Sequence, residues 1–196
     1  MITAFIISAF VIAADQISKY IIKTNMNLYE SIDDFIPGIL NIRYIENRGA
    51  SFGILQEHRW VFMILSSAAL VLMLGAIIYL GRKSVKKSNL FINISLAFMF
   101  GGGAGNMLDR FFNASVDPRY IDDGAKVVVD FLEFAFVEFA VFNIADSFIC
   151  IGSVLFCICI FRGKYKLKNT DIIDFDDIMY GGYDEEYDGE IGEEVL

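Results

Sequence analysis

Four stretches of this 196-residue chain are apolar and long enough to cross a bilayer, and they constrain the fold more than any other feature. A helix needs about 20 apolar residues to span the hydrocarbon core. The stretches run over about 1–22, 60–80, 90–108 and 141–161. Within lipid the backbone must satisfy its own hydrogen bonds, so they predict a membrane all-α core of four transmembrane helices. The first stretch has no basic leader and meets Asp15 and Gln16 where a small-residue cleavage site would stand. It is therefore expected to stay as a span, not to be removed as a signal peptide.

Composition and charge narrow the reading. Hydrophobic residues are 56% of the chain, which excludes a largely disordered protein. Cys150, Cys157 and Cys159 all fall in the fourth span, where they read as small apolar fillers, not as a disulfide scaffold. The formal charge of −9 comes from the end of the chain, since residues 169–196 hold 11 Asp and Glu and no Lys or Arg. The rest has 16 basic and 14 acidic residues, so no basic footprint for nucleic acid exists and no such partner is expected. The tail, 163–196, reads as a disordered cytoplasmic extension of the apolar body, 1–162.

Basic residues near span ends set orientation. Arg82, Lys83, Lys86 and Lys87 lie between spans two and three, and Arg162, Lys164, Lys166 and Lys168 follow span four. Both clusters are assigned to the cytoplasm, with both termini. Segments 23–59 and 109–140 are then extracytoplasmic. Within them Gly38–Glu46 alternates, with Leu40, Ile42 and Tyr44 on one face, and Val127–Phe131 is a second β-prone run. A small extracytoplasmic β-sheet, or cradle, is expected on the outer membrane surface.

Ionisable groups in a bilayer are costly and mark function. Asp15 and Lys19 approach the outer end of span one, Asn106, Asp109 and Arg110 that of span three, and Asn143 and Asp146 that of span four. All meet at one depth. The sole histidine, His58, is a weak base candidate, and no Cys/His spacing suits a metal site. Carboxylates remain. Asp15 precedes Lys19 by four residues, as in a structural helical ion pair, and Asp109 has Arg110 beside it for local neutralisation. Asp130 (in VVVDF) and Asp146 (in FNIADSFI) have apolar neighbours and no obvious partner. Side by side they would share one proton and hydrolyse peptides as an aspartate dyad; apart they would be two separately hydrogen-bonded residues. Gly101–Gly105 suits close helix packing or the passage of substrate.

Five blocks carry a family resemblance. They are DQISK at Asp15–Lys19, NRGASFG at Asn47–Gly53, GGGAGNMLDR at Gly101–Arg110, VVDF at Val128–Phe131 and FNIADS at Phe142–Ser147. Over residues 1–162 the chain resembles lipoprotein signal peptidase (signal peptidase II), a bacterial membrane aspartyl protease. The resemblance implies cleavage of diacylglyceryl-modified prolipoproteins just before the lipidated cysteine, with Asp130 and Asp146 as the catalytic pair. It implies support from Asn106, Arg110 and Asn143, and roles in shape or binding for Asp15, Lys19, Asn47, Gly49 and Asp109. It also implies that no metal or cofactor is needed, with prolipoprotein and membrane lipid as partners, globomycin-type peptides as inhibitors, and a cell-membrane location; a monomer is expected. The strand and loop at 38–53 would cover the site. The segment between Arg110 and Asp130 is longer than is usual in the family, and the acidic tail is additional.

Two rivals differ in what they require. A prepilin- or presenilin-like intramembrane aspartyl protease needs a GxGD-type block, which is absent. A transporter or assembly factor needs a polar path through the bilayer, whereas spans two and three are uncharged and the polar residues gather at one end.

Overall fold

A computed structural model describes residues 2–48, 59–82, 87–119 and 124–167. It contains four long helices: α1 (Ile2–Asn25), α2 (Arg59–Arg82), α3 (Lys87–Phe112) and α4 (Ile144–Leu167). Three strands, β1 (Ser31–Ile36), β2 (Leu40–Asn47) and β3 (Val128–Phe134), form one antiparallel sheet in the order β1-β2-β3. The expected fold class is therefore found, a four-helix membrane core with a small sheet. The first compact unit is Met1–Cys159; of the second, Ile160–Leu196, the described part is the end of α4. The acidic tail after Leu167 lies outside the described residues.

Each helix is long and apolar enough to cross a bilayer. Large apolar side chains point outward, with Phe10 66% and Leu72 74% exposed. Lipid covers such a surface at no hydrophobic cost, which water would not. The inner contact of the bundle is made by Ala4, Ile77, Leu96 and Ala97. Cys150 and Cys157 are free and exposed, so they face outward and fill no core.

Helix ends depart from the sequence expectation for local reasons. α1 continues to Asn25 because Thr24 and Asn25 return side-chain hydrogen bonds to the carbonyls of Tyr20 and Ile21, at 2.8 Å each. α4 starts later than 141. Phe142 is tied instead to the sheet edge, its N–H donating to Leu132 O at 2.9 Å and its O accepting from Leu132 N–H at 2.7 Å. Asn143 then opens the helix.

The sheet stands on the ends of α1 and α4. Ile42, Tyr44, Val129 and Phe131 form a buried cluster against Ile22, Met26 and Ile144. Its register pairs Ile45 with Asp130 and Asn47 with Val128, after an irregularity between Ile42 and Ile45. That pairing brings the end of β2 beside Asp130.

Candidate active site

The site is built outward from Asn143. Its Oδ1 accepts from the backbone N–H of Asp146 at 3.0 Å, and its own backbone N–H donates to Asp146 Oδ2 at 3.2 Å. This is a reciprocal capping box at the start of α4. The Asn143 side-chain amide donates to Asp130 Oδ1 at 2.6 Å, with Asn106 Oδ1 at 3.0 Å as a second acceptor. One fully buried asparagine thus grips both aspartates. Asp130, on β3, is 2% exposed, and its Oδ2 accepts from Asn47 Nδ2 at 3.0 Å. Asp146 Oδ1 accepts from Asn106 Nδ2 at 2.7 Å.

Behind Asn106 lies a charge cluster. Lys19 Nζ donates to Asn106 Oδ1 at 2.8 Å, to Asp15 Oδ2 at 2.7 Å and to Asp109 Oδ2 at 2.9 Å. An ammonium has three N–H bonds, and all three are used. Burial of these charges is tolerable because each is paired and hydrogen-bonded. Asp15 Oδ1 also accepts from the N–H of Ala145 at 3.0 Å, so a carboxylate of α1 satisfies an otherwise unpaired donor of α4. Gln16 Nε2 donates to Asp109 Oδ1 at 3.2 Å.

The glycine block makes these approaches possible. A Cβ at Gly105 would lie 2.7 Å from Asp15 Oδ2, one at Gly102 2.4 Å from Ala145 O, and one at Gly101 2.8 Å from Val11 Cβ. The close-packing reading of this block matches the geometry.

Burial, and secondly the charge of Asp146, push the Asp130 carboxyl up to about 7. Asp130 and Asp146 open onto a cleft of about 390 Å³ between α2, α3 and α4, shared with Asn47, Asn106 and Arg110. Leu70, Met73, Met99 and Ile149 supply its apolar wall. Two interacting carboxyls beside a largely apolar cleft can together polarise a carbonyl and activate a water.

The structure brings together Asp15, Lys19, Asn47, Asn106, Asp109, Arg110, Asp130, Asn143 and Asp146. Gly49 and His58 lie outside the described residues. The Asp15–Lys19 pair forms as expected but is not self-contained, since Lys19 also holds Asn106. Asp109 is neutralised by Lys19 of α1, where its neighbour Arg110 was expected; Arg110 Nη1 instead donates to Asn106 O at 3.2 Å. Gln16 was passed over as a site residue, although it stands within DQISK. Among the described residues no group of His, Cys, Asp and Glu could hold a metal ion.

Comparison with known proteins agrees with this architecture. The family model described as signal peptidase (SPase) II matches residues 7–162. Lipoprotein signal peptidases of Streptococcus pyogenes serotype M5 (strain Manfredo) and serotype M1 are each 35% identical over 160 residues, covering 81% of this chain and 93% of theirs. A bacterial membrane enzyme solved by the in meso method at 2.3 Å superposes with a TM-score of 0.68 at 32% identity, covering 88% of this chain and 95% of that one. Another, solved at 1.9 Å, gives 0.62 at 33% identity, covering 87% and 96%. With four membrane-length helices, a three-stranded sheet at their ends and a family match over most of its length, the chain belongs to the signal peptidase II family.

Proposed function

We propose that this protein is an aspartic endopeptidase that removes the signal peptide of diacylglyceryl-modified prolipoproteins, cutting just before the lipidated cysteine. The observation that carries the mechanism is the buried side chain of Asn143, joined to both Asp130 and Asp146, which line a largely apolar cleft. Asp130, whose carboxyl is pushed up to about 7, serves as the acid of the pair and donates its proton to the scissile carbonyl oxygen. The Asp146 carboxylate takes a proton from water, whose oxygen bonds to the carbonyl carbon. The tetrahedral intermediate collapses as Asp146 returns that proton to the leaving nitrogen and the second hydroxyl proton goes back to Asp130. Both acids end as they began, so no cofactor is needed.

Supporting roles follow from the contacts. Asn106, polarised by Lys19, holds Asp146; Asn47 and Asn143 hold Asp130; Asp15 and Asp109 keep Lys19 in place. Arg110 faces the substrate in the cleft. Orientation rests on the basic clusters around Arg82 and after Arg162, which favour a cytoplasmic position for that end of the bundle and for both termini. The dyad is then near the extracytoplasmic face of the bacterial inner membrane. The signal helix lies against the spans and the acyl chains stay in lipid, with globomycin-type peptides competing for the same cleft. A monomer holds every residue of this mechanism.

The test is cleavage of a diacylglyceryl-modified prolipoprotein in nanodiscs by wild type, Asp130→Asn and Asp146→Asn. Cleavage before the lipidated cysteine by wild type, with both folded variants inactive, is the expected result. Near-full activity in either variant would remove that residue from the mechanism, and an inert wild type would remove the peptidase assignment.

A further inference from the structure

The segment between α3 and β3 has a use that the proposed reaction leaves unassigned. Its two arms pair with each other, Ser115 N–H donating to Ala125 O at 2.9 Å and Val127 N–H to Asn113 O at 3.0 Å. The first arm is anchored to the end of α1, where Lys23 Nζ donates to Asn113 Oδ1 at 2.5 Å and Ala114 O at 3.0 Å. It is anchored again to the loop before β1, where Tyr29 Oη donates to Asp117 Oδ2 at 2.7 Å. Asp117 also forms an ion pair with Arg119 at 2.6 Å.

Between these anchors the arm crosses the end of β2. Ser115 Oγ donates to Glu46 Oε2 at 2.5 Å, and the Val116 N–H donates to Glu46 Oε1 at 3.0 Å. Tyr44, itself buried, donates its hydroxyl to Glu46 Oε1 at 3.1 Å. A carboxylate accepting three such bonds is held firmly. By this point β1 has left the sheet, its register with β2 ending at Ser31 opposite Arg43. Glu46 is the residue before Asn47, the donor to Asp130 Oδ2.

We propose that the two arms 113–119 and 124–127 form a clamp that acts through Glu46 to hold Asn47 on Asp130. Glu46 and Ser115 are positioning residues; neither touches the reacting atoms. The catalytic consequence rests on the proposed peptidase activity, while the clamp is a structural claim that can be measured without turnover.

The experiment uses full-length protein in nanodiscs, as wild type, Glu46→Gln, Ser115→Ala, Ser115→Thr, Asn47→Ala and Glu46→Gln/Asn47→Ala. Backbone amide exchange over residues 45–47 is expected to rise about tenfold or more in Glu46→Gln and Ser115→Ala, and to return toward wild type in Ser115→Thr, which restores a hydroxyl. On the diacylglyceryl-modified prolipoprotein, Glu46→Gln lowers kcat by about tenfold to a hundredfold with KM little changed, as expected for a misplaced catalytic group. In the Asn47→Ala background the same change has almost no further effect, because its route through Asn47 is gone. Unchanged exchange in both clamp variants overturns the proposal, as do additive effects in the double variant. If wild type cleaves nothing, the peptidase assignment fails and the exchange result alone decides the clamp.

Discussion

Asn143 and Asp146 bind each other twice, backbone to side chain in both directions, at 3.0 and 3.2 Å. The bond pair that starts α4 is also the one that aims a proposed catalytic carboxylate. Helix capping and catalysis are therefore separable by substitution. Asn143→Ser retains a capping oxygen but loses the amide that donates to Asp130, so it should keep most of the cap's stability and yet lose activity by about a hundredfold or more. Asn143→Ala should also lose about 1 kcal/mol of stability with the cap. Thermal unfolding in detergent beside prolipoprotein cleavage distinguishes the two, and an active Asn143→Ser would refute the amide's role.

The raised Asp130 carboxyl gives a signed pH dependence. Its ordinary value is 3.8 and its value in the folded chain is about 7. Between these the folded state holds the extra proton, so the contribution to stability is full below about 4 and is lost as pH rises through about 7. Asp146 on α4, Lys19 on α1 and Asp109 and Arg110 on α3 are the charged groups around it. Wild type should lose stability relative to Asp130→Asn between about pH 4 and 7, and kcat/KM should fall above about pH 7 as the pair loses its shared proton. Parallel pH curves for the stability of the two proteins would contradict this.

Two glycines give a paired steric prediction. A Cβ at Gly105 meets Asp15 Oδ2 at 2.7 Å, whereas at Gly75 of α2 nothing lies within 4 Å. Gly105→Ala should destabilise by about 1–3 kcal/mol and reduce activity, because Asp15 must leave Lys19 or Ala145. Gly75→Ala should be neutral or stabilising by up to about 1 kcal/mol through helix propensity. Equal unfolding temperatures for the two variants would count against close packing as the purpose of the glycine block.

Lys19 balances two buried carboxylates. Lys19→Met should cost about 3–5 kcal/mol, since it leaves both without their cation. Adding Asp109→Asn to Lys19→Met should recover part of that loss. A double variant less stable than Lys19→Met, measured by thermal unfolding, would rule out charge compensation as the reason.

The spans and the meeting of polar side chains from three helices were legible in the sequence because each rests on a local pattern. Long apolar runs announce helices, and Asp130 and Asp146 stood out by lacking nearby partners. What needed the fold was pairing across helices. Nothing adjacent in sequence shows that Asp109 belongs to Lys19, 90 residues away, or that Asp15 serves the Ala145 N–H. Strand β1 was missed because all six of its residues are exposed and its Asp33-Asp34 centre breaks the alternation that revealed β2. The late start of α4 was missed because hydropathy cannot separate apolar residues that pair with a sheet edge, such as Phe142, from those in a span.

The bond from Asp15 to the Ala145 N–H joins α1 to α4. If Asp130 and Asp146 are the catalytic pair, proteolytic competence must be the final event of biogenesis. Until the fourth span has entered the bilayer and docked on the first, Asp146 has no Asn106 beside it and Asn143 has no Asp130 to hold. A nascent or truncated chain therefore carries no half-formed protease into the membrane, and the enzyme comes into being only when its insertion is complete.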